Sequence, residues 1–343
     1  MDNQSPEKSP MFQLERRGVV LRPDLTNLYE RGGVLNPAAV LHDGITYIFY
    51  RAVAETPVNY SRILMATCSL EADNIIETVR LGKVALEPVE EYEIWRDSEG
   101  EVGGGGVEDP RITLLDGAYY MVYTAYGNVD GRVDPRIAVA RSHDLFTWER
   151  LGLATFAPLR IEVGGQTASI DLGLVPNKDG ILFPERIDGR YCMMHRPMFA
   201  HTTDLAQCIW LSWSRDLLHW EDHQLLLSPT LPWESLKVGG GTPPLRTPMG
   251  WLTFYHGVEG LADNDPNRRY HAGALLLDLD DPGRVLYRSA QPVLSPQSAD
   301  ETVGVVSNVV FPTGVVAQPD DRIDVYYGMA DQAIGLATTT LPL

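Results

Sequence analysis

Five segments of the chain repeat one pattern of apolar and polar positions: a small or polar start, an apolar strand, a turn, and a strand rich in aromatic residues. The first runs 36–41, turns at His42-Asp43-Gly44 and continues 45–51. The second runs 109–115, turns at Asp116-Gly117 and continues 118–124. The third covers 180–187, Asp188-Gly189 and 190–196, and the fourth 242–247, Pro248-Met249-Gly250 and 251–256. The fifth runs 308–316, takes a longer turn near Asp320-Asp321 and continues 323–328. Three of the five carry Asp-Gly between apolar runs, a hairpin signal because a type I′ turn needs positive φ. Their starts at Asn36, Asp109, Gly180, Thr242 and Asn308 lie 73, 71, 62 and 66 residues apart. That period is longer than the ~40–50 residues of common propeller repeats, but four strands with longer loops fill it.

A second repeat lies between hairpins, Ser142-His143-Asp144-Leu145-Phe146-Thr147-Trp148-Glu149 and Ser214-Arg215-Asp216-Leu217-Leu218-His219-Trp220-Glu221. It reads as one outer turn in each of two units, with the Trp packed beneath. No segment has a helical period. The pattern predicts an all-β chain: one five-bladed β-propeller domain spanning 1–343, with the active site in the central channel and a peripheral N-terminal segment, 1–30. Glycines 103–106 and 239–241 precede Asp109 and Thr242. With a proline and a strand after them, they read as flexible approaches to the channel and not as a phosphate loop.

In such a fold the inner strands line the channel, and polar residues at their ends face it. Asn36, Asp109 and Asn308 stand at strand starts; Arg51, Thr124, Arg196 and His256 stand at strand ends, with Asp331 just after Gly328. One such residue is ordinarily a satisfied structural group, but the same place being polar in repeat after repeat points to an active site. Asp109 is the candidate general acid. Glu108, adjacent in a strand, points the other way and reads as structural; the structural alternative for Asp109 is an ion pair with Arg111. Tyr50, Tyr123, Tyr255 and Trp251 could stack on sugar faces, although inner-strand aromatics are more often core.

Charge sharpens this reading. The chain has 28 Lys and Arg against 46 Asp and Glu, a net charge of −18, which disfavours nucleic acid and anionic membranes as partners. Lys178, Arg196 and Lys237, near His195 and His256, are therefore conspicuous and imply an anionic substrate. The first ten residues are polar, no run approaches the ~18 apolar residues of a membrane span, and Cys68, Cys192 and Cys208 show no zinc spacing. These features predict a cytoplasmic protein with reduced thiols and no metal. A homo-oligomer is compatible with the sequence, which does not specify subunit number.

Asn36-Pro37-Ala38-Ala39, Glu108-Asp109-Pro110-Arg111, Leu182-Phe183-Pro184-Glu185 and His195-Arg196-Pro197 resemble glycoside hydrolase family 130. So do Lys237-Val238-Gly239-Gly240-Gly241, Tyr255-His256-Gly257, Ala274-Leu275-Leu276-Leu277-Asp278, Phe311-Pro312 and Tyr326-Tyr327-Gly328 through Asp331. The resemblance covers roughly 35–341 in order. It implies a five-bladed propeller and an inverting β-mannoside phosphorylase or, in a smaller set, a β-mannosidase. It implies Asp109 as general acid, and Asn36, Arg51 and Asp331, with His195 and Tyr255, on the mannoside. Lys178, Arg196, Lys237, His256 and Tyr270 would hold inorganic phosphate as co-substrate, with no cofactor. Lys178-Asp179 departs from the Arg-Asn of some members, and Asp179 is expected either to turn away or to pair with Lys178.

Phosphate arrives already anionic and needs cations behind the anomeric carbon. Inverting hydrolysis needs instead a carboxylate base ~6.5–9.5 Å from the acid, for which Glu259 and Glu185 are the candidates. The cations favour the phosphorylase. A furanosidase-type propeller would use three acids without that cation set, and a propeller serving only protein interaction would show regular ~40–45-residue blades. Linkage, β-1,2 or β-1,4, is set by loops at the channel mouth.

Overall fold

The computed structural model describes residues 11–342 except 58, 72–73, 130, 164–165, 200–204 and 206; the polar stretch 1–10 lies outside them. Among the described residues the chain is all-β apart from short helical turns, and no helix is long and apolar enough to cross a membrane. The longer strands group into five antiparallel units, the first two joined into one nine-stranded sheet by a parallel bridge between Ser61 and Gly106. The first contains Gly33–His42, Ile45–Ala54, Tyr60–Glu71 and Asn74–Leu86. The second contains Val102–Leu115, Ala118–Val129, Arg132–Ser142 and Glu149–Leu153. The third is built from Asn177–Leu182, Tyr191–Pro197, Ile209–Ser214 and His219–Leu227. In the fourth, two short pieces, Lys237–Gly239 and Leu245–Thr247, pair with Gly250–Glu259, followed by Arg269–Leu277 and Val285–Arg288.

The fifth unit takes Val310–Ala317, Arg322–Met329 and Ala333–Thr340 from the C-terminal end, and its outer strand is Glu15–Leu21. That strand pairs antiparallel with Ala333–Thr340. Residues 15–21 of the N-terminal segment, expected to be peripheral, are the outermost strand of this sheet.

Each hydrophobic cluster sits between two consecutive units. Val107 and Met121 pack with Phe49 and Met65, Trp210 with Val139, Leu211 with Trp251, and Val325 with Phe254. The last cluster joins Tyr326 and Leu336 of the fifth unit to Val34 and Ile48 of the first. Between inner strands, the Thr113 hydroxyl donates to the Leu182 carbonyl and that of Thr313 to Pro37. The Asp-Gly turns have positive φ at both residues, as at Asp43 (50°) and Gly44 (76°). In the outer turns Asp144 accepts the Phe146 and Thr147 amides, Asp216 accepts those of Leu218 and His219, and the Trp148 and Trp220 indoles donate to the Leu145 and Leu217 carbonyls.

The glycines before Asp109 form no loop. They belong to the strand Val102–Leu115, and Gly106, at φ 144°, touches the first unit so closely that a Cβ would lie 2.6 Å from the Ser61 amide nitrogen. Their role is close strand approach.

Candidate active site

The inner strands of the first three units share a local irregularity that the side-chain alternation hides. Asn36, Asp109 and Asp179 have φ of 46°, 48° and 58°, each beside a register shift in the first hairpin of its unit. Asn and Asp tolerate this left-handed conformation better than most residues. The bulge also resets strand alternation. Glu108 therefore does not point away from Asp109: both carboxylates reach Arg51, whose guanidinium donates to Glu108 Oε1 at 2.7 Å and Asp109 Oδ1 at 3.2 Å.

A cavity of about 300 Å³ lies where these strand ends converge. Asn36, Arg51, Asp109 and Asp331 line it, together with Lys178, Arg196, Lys237, His256 and Tyr270. Asp109 is buried and accepts Asn36 Nδ2 at 2.8 Å, while Lys178 Nζ stands 3.6 Å from its other oxygen. Burial pushes its carboxyl up, but Arg51, Lys178, Arg111 and the Asn36 hydrogen bond outweigh burial, and its pKa falls to about 2. Asp331 is partly buried without such close donors, so desolvation and the neighbouring Asp109 charge raise its pKa to about 6 against Arg51 and Lys178. Burial also raises Glu108.

Asp179 neither turns away nor pairs with Lys178. It accepts Arg196 Nε at 2.8 Å, and Arg111 Nη2 stands 3.6 Å from its other oxygen. Arg111 makes no side-chain ion pair with Asp109 and donates instead to the Asp109 backbone carbonyl at 3.0 Å. Arg196 also donates to Gln207 Oε1 at 2.9 Å, and Lys237 donates to Asp263 Oδ1 at 2.5 Å. His256 is buried against Phe311 and Tyr270, with Nδ1 3.1 Å from the Gly240 carbonyl. Burial takes its pKa down to about 3 despite Asp179, so it stands neutral. Lys237 is lowered by burial and by Arg196, while Asp263 opposes the shift.

Two expected substrate residues do not reach the cavity. Tyr255 turns outward into its unit, donating to the buried Glu234, which also binds Arg288. Tyr50, Tyr123 and Tyr327 do the same with Glu30, Glu93 and Glu301, which bind Arg80, Arg150 and Arg16. Arg51 and His256, the residues after Tyr50 and Tyr255, face the cavity instead, as period-2 alternation requires. His195 occupies this outward position in the third unit: it is buried, bonded to Asn177 and Ser212, and stacked on Phe156. Burial lowers its pKa well below the ordinary imidazole range.

Gln207, Asp263 and Arg268 also line the cavity and were not singled out from the sequence, and so does Phe311 of the Phe311-Pro312 motif. Arg268 sits in the loop just before the strand that carries Tyr270, where no strand alternation applies. Glu185 and Glu259, the candidate water-activating bases, are half exposed outside the cavity wall, beside Arg246 and His271. Among the described residues no group of three or more His, Cys, Asp or Glu side chains is placed to hold a metal ion.

A buried acid beside clustered cations and amide groups has the chemistry to take a polar substrate and an anion. The chain belongs to glycoside hydrolase family 130: the family profile described as beta-1,4-mannooligosaccharide phosphorylase matches residues 5–342. It is 37% identical over 321 residues, 93% of each chain, to a 1,2-beta-oligomannan phosphorylase of Thermoanaerobacter sp. strain X514. It is 35% identical over 235 residues to a beta-1,4-mannooligosaccharide phosphorylase of Ruminococcus albus, covering 68% of this chain and 62% of that one. In fold it resembles the beta-1,2-mannobiose phosphorylase of Listeria innocua solved with beta-1,2-mannobiose, with a TM-score of 0.74, 24% identity, and coverage of 96% of this chain and 97% of that one.

Proposed function

We propose that the five units are the blades of a propeller, that the cavity is its central channel, and that the protein is an inverting β-mannoside phosphorylase. The closed order of shared cores supports the architecture, and the names of the relatives support the reaction. The observation that carries the site assignment is the convergence of Lys178, Arg196, Lys237, His256 and Tyr270 on the cavity that holds Asp109. Asn36, Arg51 and Asp331 hold the mannose whose bond is cut. A phosphate oxygen forms the new bond to the anomeric carbon as the glycosidic C–O bond breaks, and Asp109 delivers its proton to the departing oxygen. One displacement inverts the centre and yields α-mannose 1-phosphate.

Asp109 is ionised in the empty site, so it must gain a proton when substrates arrive. Phosphate supplies the cause: it engages Lys178 and places negative charge nearby, and both changes raise the carboxyl pKa. Acid strength is thus coupled to phosphate occupancy. The reading also carries a cytoplasmic location, where inorganic phosphate is at hand as co-substrate.

The test is release of mannose 1-phosphate from β-1,2- and β-1,4-mannobiose with and without phosphate. Release is expected only with phosphate. Lys237→Ala and Arg196→Ala should raise the phosphate KM about tenfold or more, the size of a lost charge-assisted contact, with a smaller change for mannoside. Equal cleavage without phosphate would make the protein a hydrolase.

A further inference from the structure

We propose that Arg268 is a further ligand of the phosphate group, taking inorganic phosphate in cleavage and the sugar phosphate in reverse; this rests on the phosphorylase reading above. Every other cationic side chain on the cavity wall already faces a protein carboxylate. Arg51 has Glu108 and Asp109, Lys178 has Asp109, Arg196 has Asp179, and Lys237 has Asp263. Among the described residues no carboxylate lies within ion-pair distance of the Arg268 guanidinium, and its Nε is buried with no hydrogen-bond partner. A buried donor left unpaired is costly, so the site is incomplete until a ligand supplies an acceptor.

The position points to the anion and not to the sugar. Two cations stand near the Tyr270 ring, with Lys237 Nζ 5.7 Å and the Arg268 guanidinium carbon 6.0 Å from its centroid. His256 stacks on the same ring, 6.2 Å away. Arg268 therefore belongs to the neighbourhood of the phosphate set. A neutral sugar hydroxyl could satisfy one N–H, whereas a phosphate oxygen accepts that N–H and adds a charge-assisted contact to the guanidinium. The segment that presents it is preorganised. The Asp265 carboxylate accepts the Leu261 and Asn267 amides at 3.1 and 2.8 Å, and the Asp265 carbonyl accepts the Arg268 amide at 3.2 Å.

The experiment titrates inorganic phosphate into the intact wild type and into Arg268→Ala, Arg268→Gln and Arg268→Lys by calorimetry, with steady-state rates measured over phosphate and mannobiose. The Ala and Gln variants should weaken phosphate binding and raise its KM by about tenfold or more, leave the mannobiose KM within about threefold, and be partly rescued by Lys. Melting curves verify folding, and because the guanidinium makes no side-chain hydrogen bond among the described residues these variants should melt with wild type. Unchanged phosphate affinity in a phosphate-dependent wild-type background defeats the Arg268 assignment alone, as does a rise confined to the mannobiose KM. A wild type that cleaves mannobiose equally well without phosphate overturns both readings.

Discussion

The two faces of the inner hairpins handle buried charge in opposite ways. On the outward face of four units, a fully buried glutamate receives both a tyrosine hydroxyl and an arginine, as Glu93 does from Tyr123 at 2.7 Å and Arg150 at 2.9 Å. On the cavity face, Arg51 serves Glu108 and Asp109 at once while Asp331, partly buried, has its pKa raised to about 6. The first arrangement satisfies every partner and fixes the sheets. The second leaves unbalanced charge that a ligand can resolve. The third unit departs from the outward rule, with His195, Ser212 and His223 in place of Tyr, Glu and Arg. Its anchor bonds Asn177, the residue before Lys178, so in this unit the structural face and the chemical face are coupled.

The largest expected effect separates the faces outright. Asp109→Asn should stay folded and lose about 10²–10⁴-fold in turnover, the usual weight of general acid catalysis, because an amide cannot donate a carboxyl proton. Activity within a few-fold of wild type would remove Asp109 from that role. Asp331→Asn should raise stability. A folded pKa of about 6 against an ordinary 3.8 means the folded state binds the proton more tightly, so this group's favourable contribution is complete below pH ~4 and lost as pH rises through ~6. The variant should therefore gain up to about 3 kcal/mol at pH 7.5 and almost nothing at pH 4. Chemical denaturation at both pH values checks the sign, and equal effects at both would contradict it.

The outward face should behave differently. Tyr123→Phe removes a donor from the buried Glu93 and should cost about 1–3 kcal/mol with kinetics unchanged, because the next residue, Thr124, is not on the cavity wall. His195→Phe should cost a similar amount and also raise the phosphate KM, since Asn177 loses its partner beside Lys178. Identical kinetic behaviour of the two variants would erase the distinction drawn for the third unit.

Much of this organisation was legible in the residues. The Asp-Gly turns and repeated strand starts located the inner hairpins, and nine of the expected site residues line the cavity. What escaped has physical causes. Alternation assigns Glu108 and Asp109 to opposite faces, but a bulge at a left-handed Asp defeats a period-2 argument. His195 looked like a site residue because Arg196 is one, yet neighbours in a strand face opposite ways, and only the four Tyr counterparts reveal which way. The outer strand 15–21 pairs with 333–340 across nearly the whole chain, a contact no local pattern encodes. Arg268 sits in a polar loop whose path depends on Asp265.

The central claim is direct displacement by phosphate across a cavity with Asp109 on the opposite side of the anomeric carbon. Proton NMR of the first product formed from β-mannobiose in phosphate tests it most directly. The account predicts α-mannose 1-phosphate as the initial product, with none formed when phosphate is left out. A β-configured phosphate, or free mannose appearing at the same rate without phosphate, would contradict it.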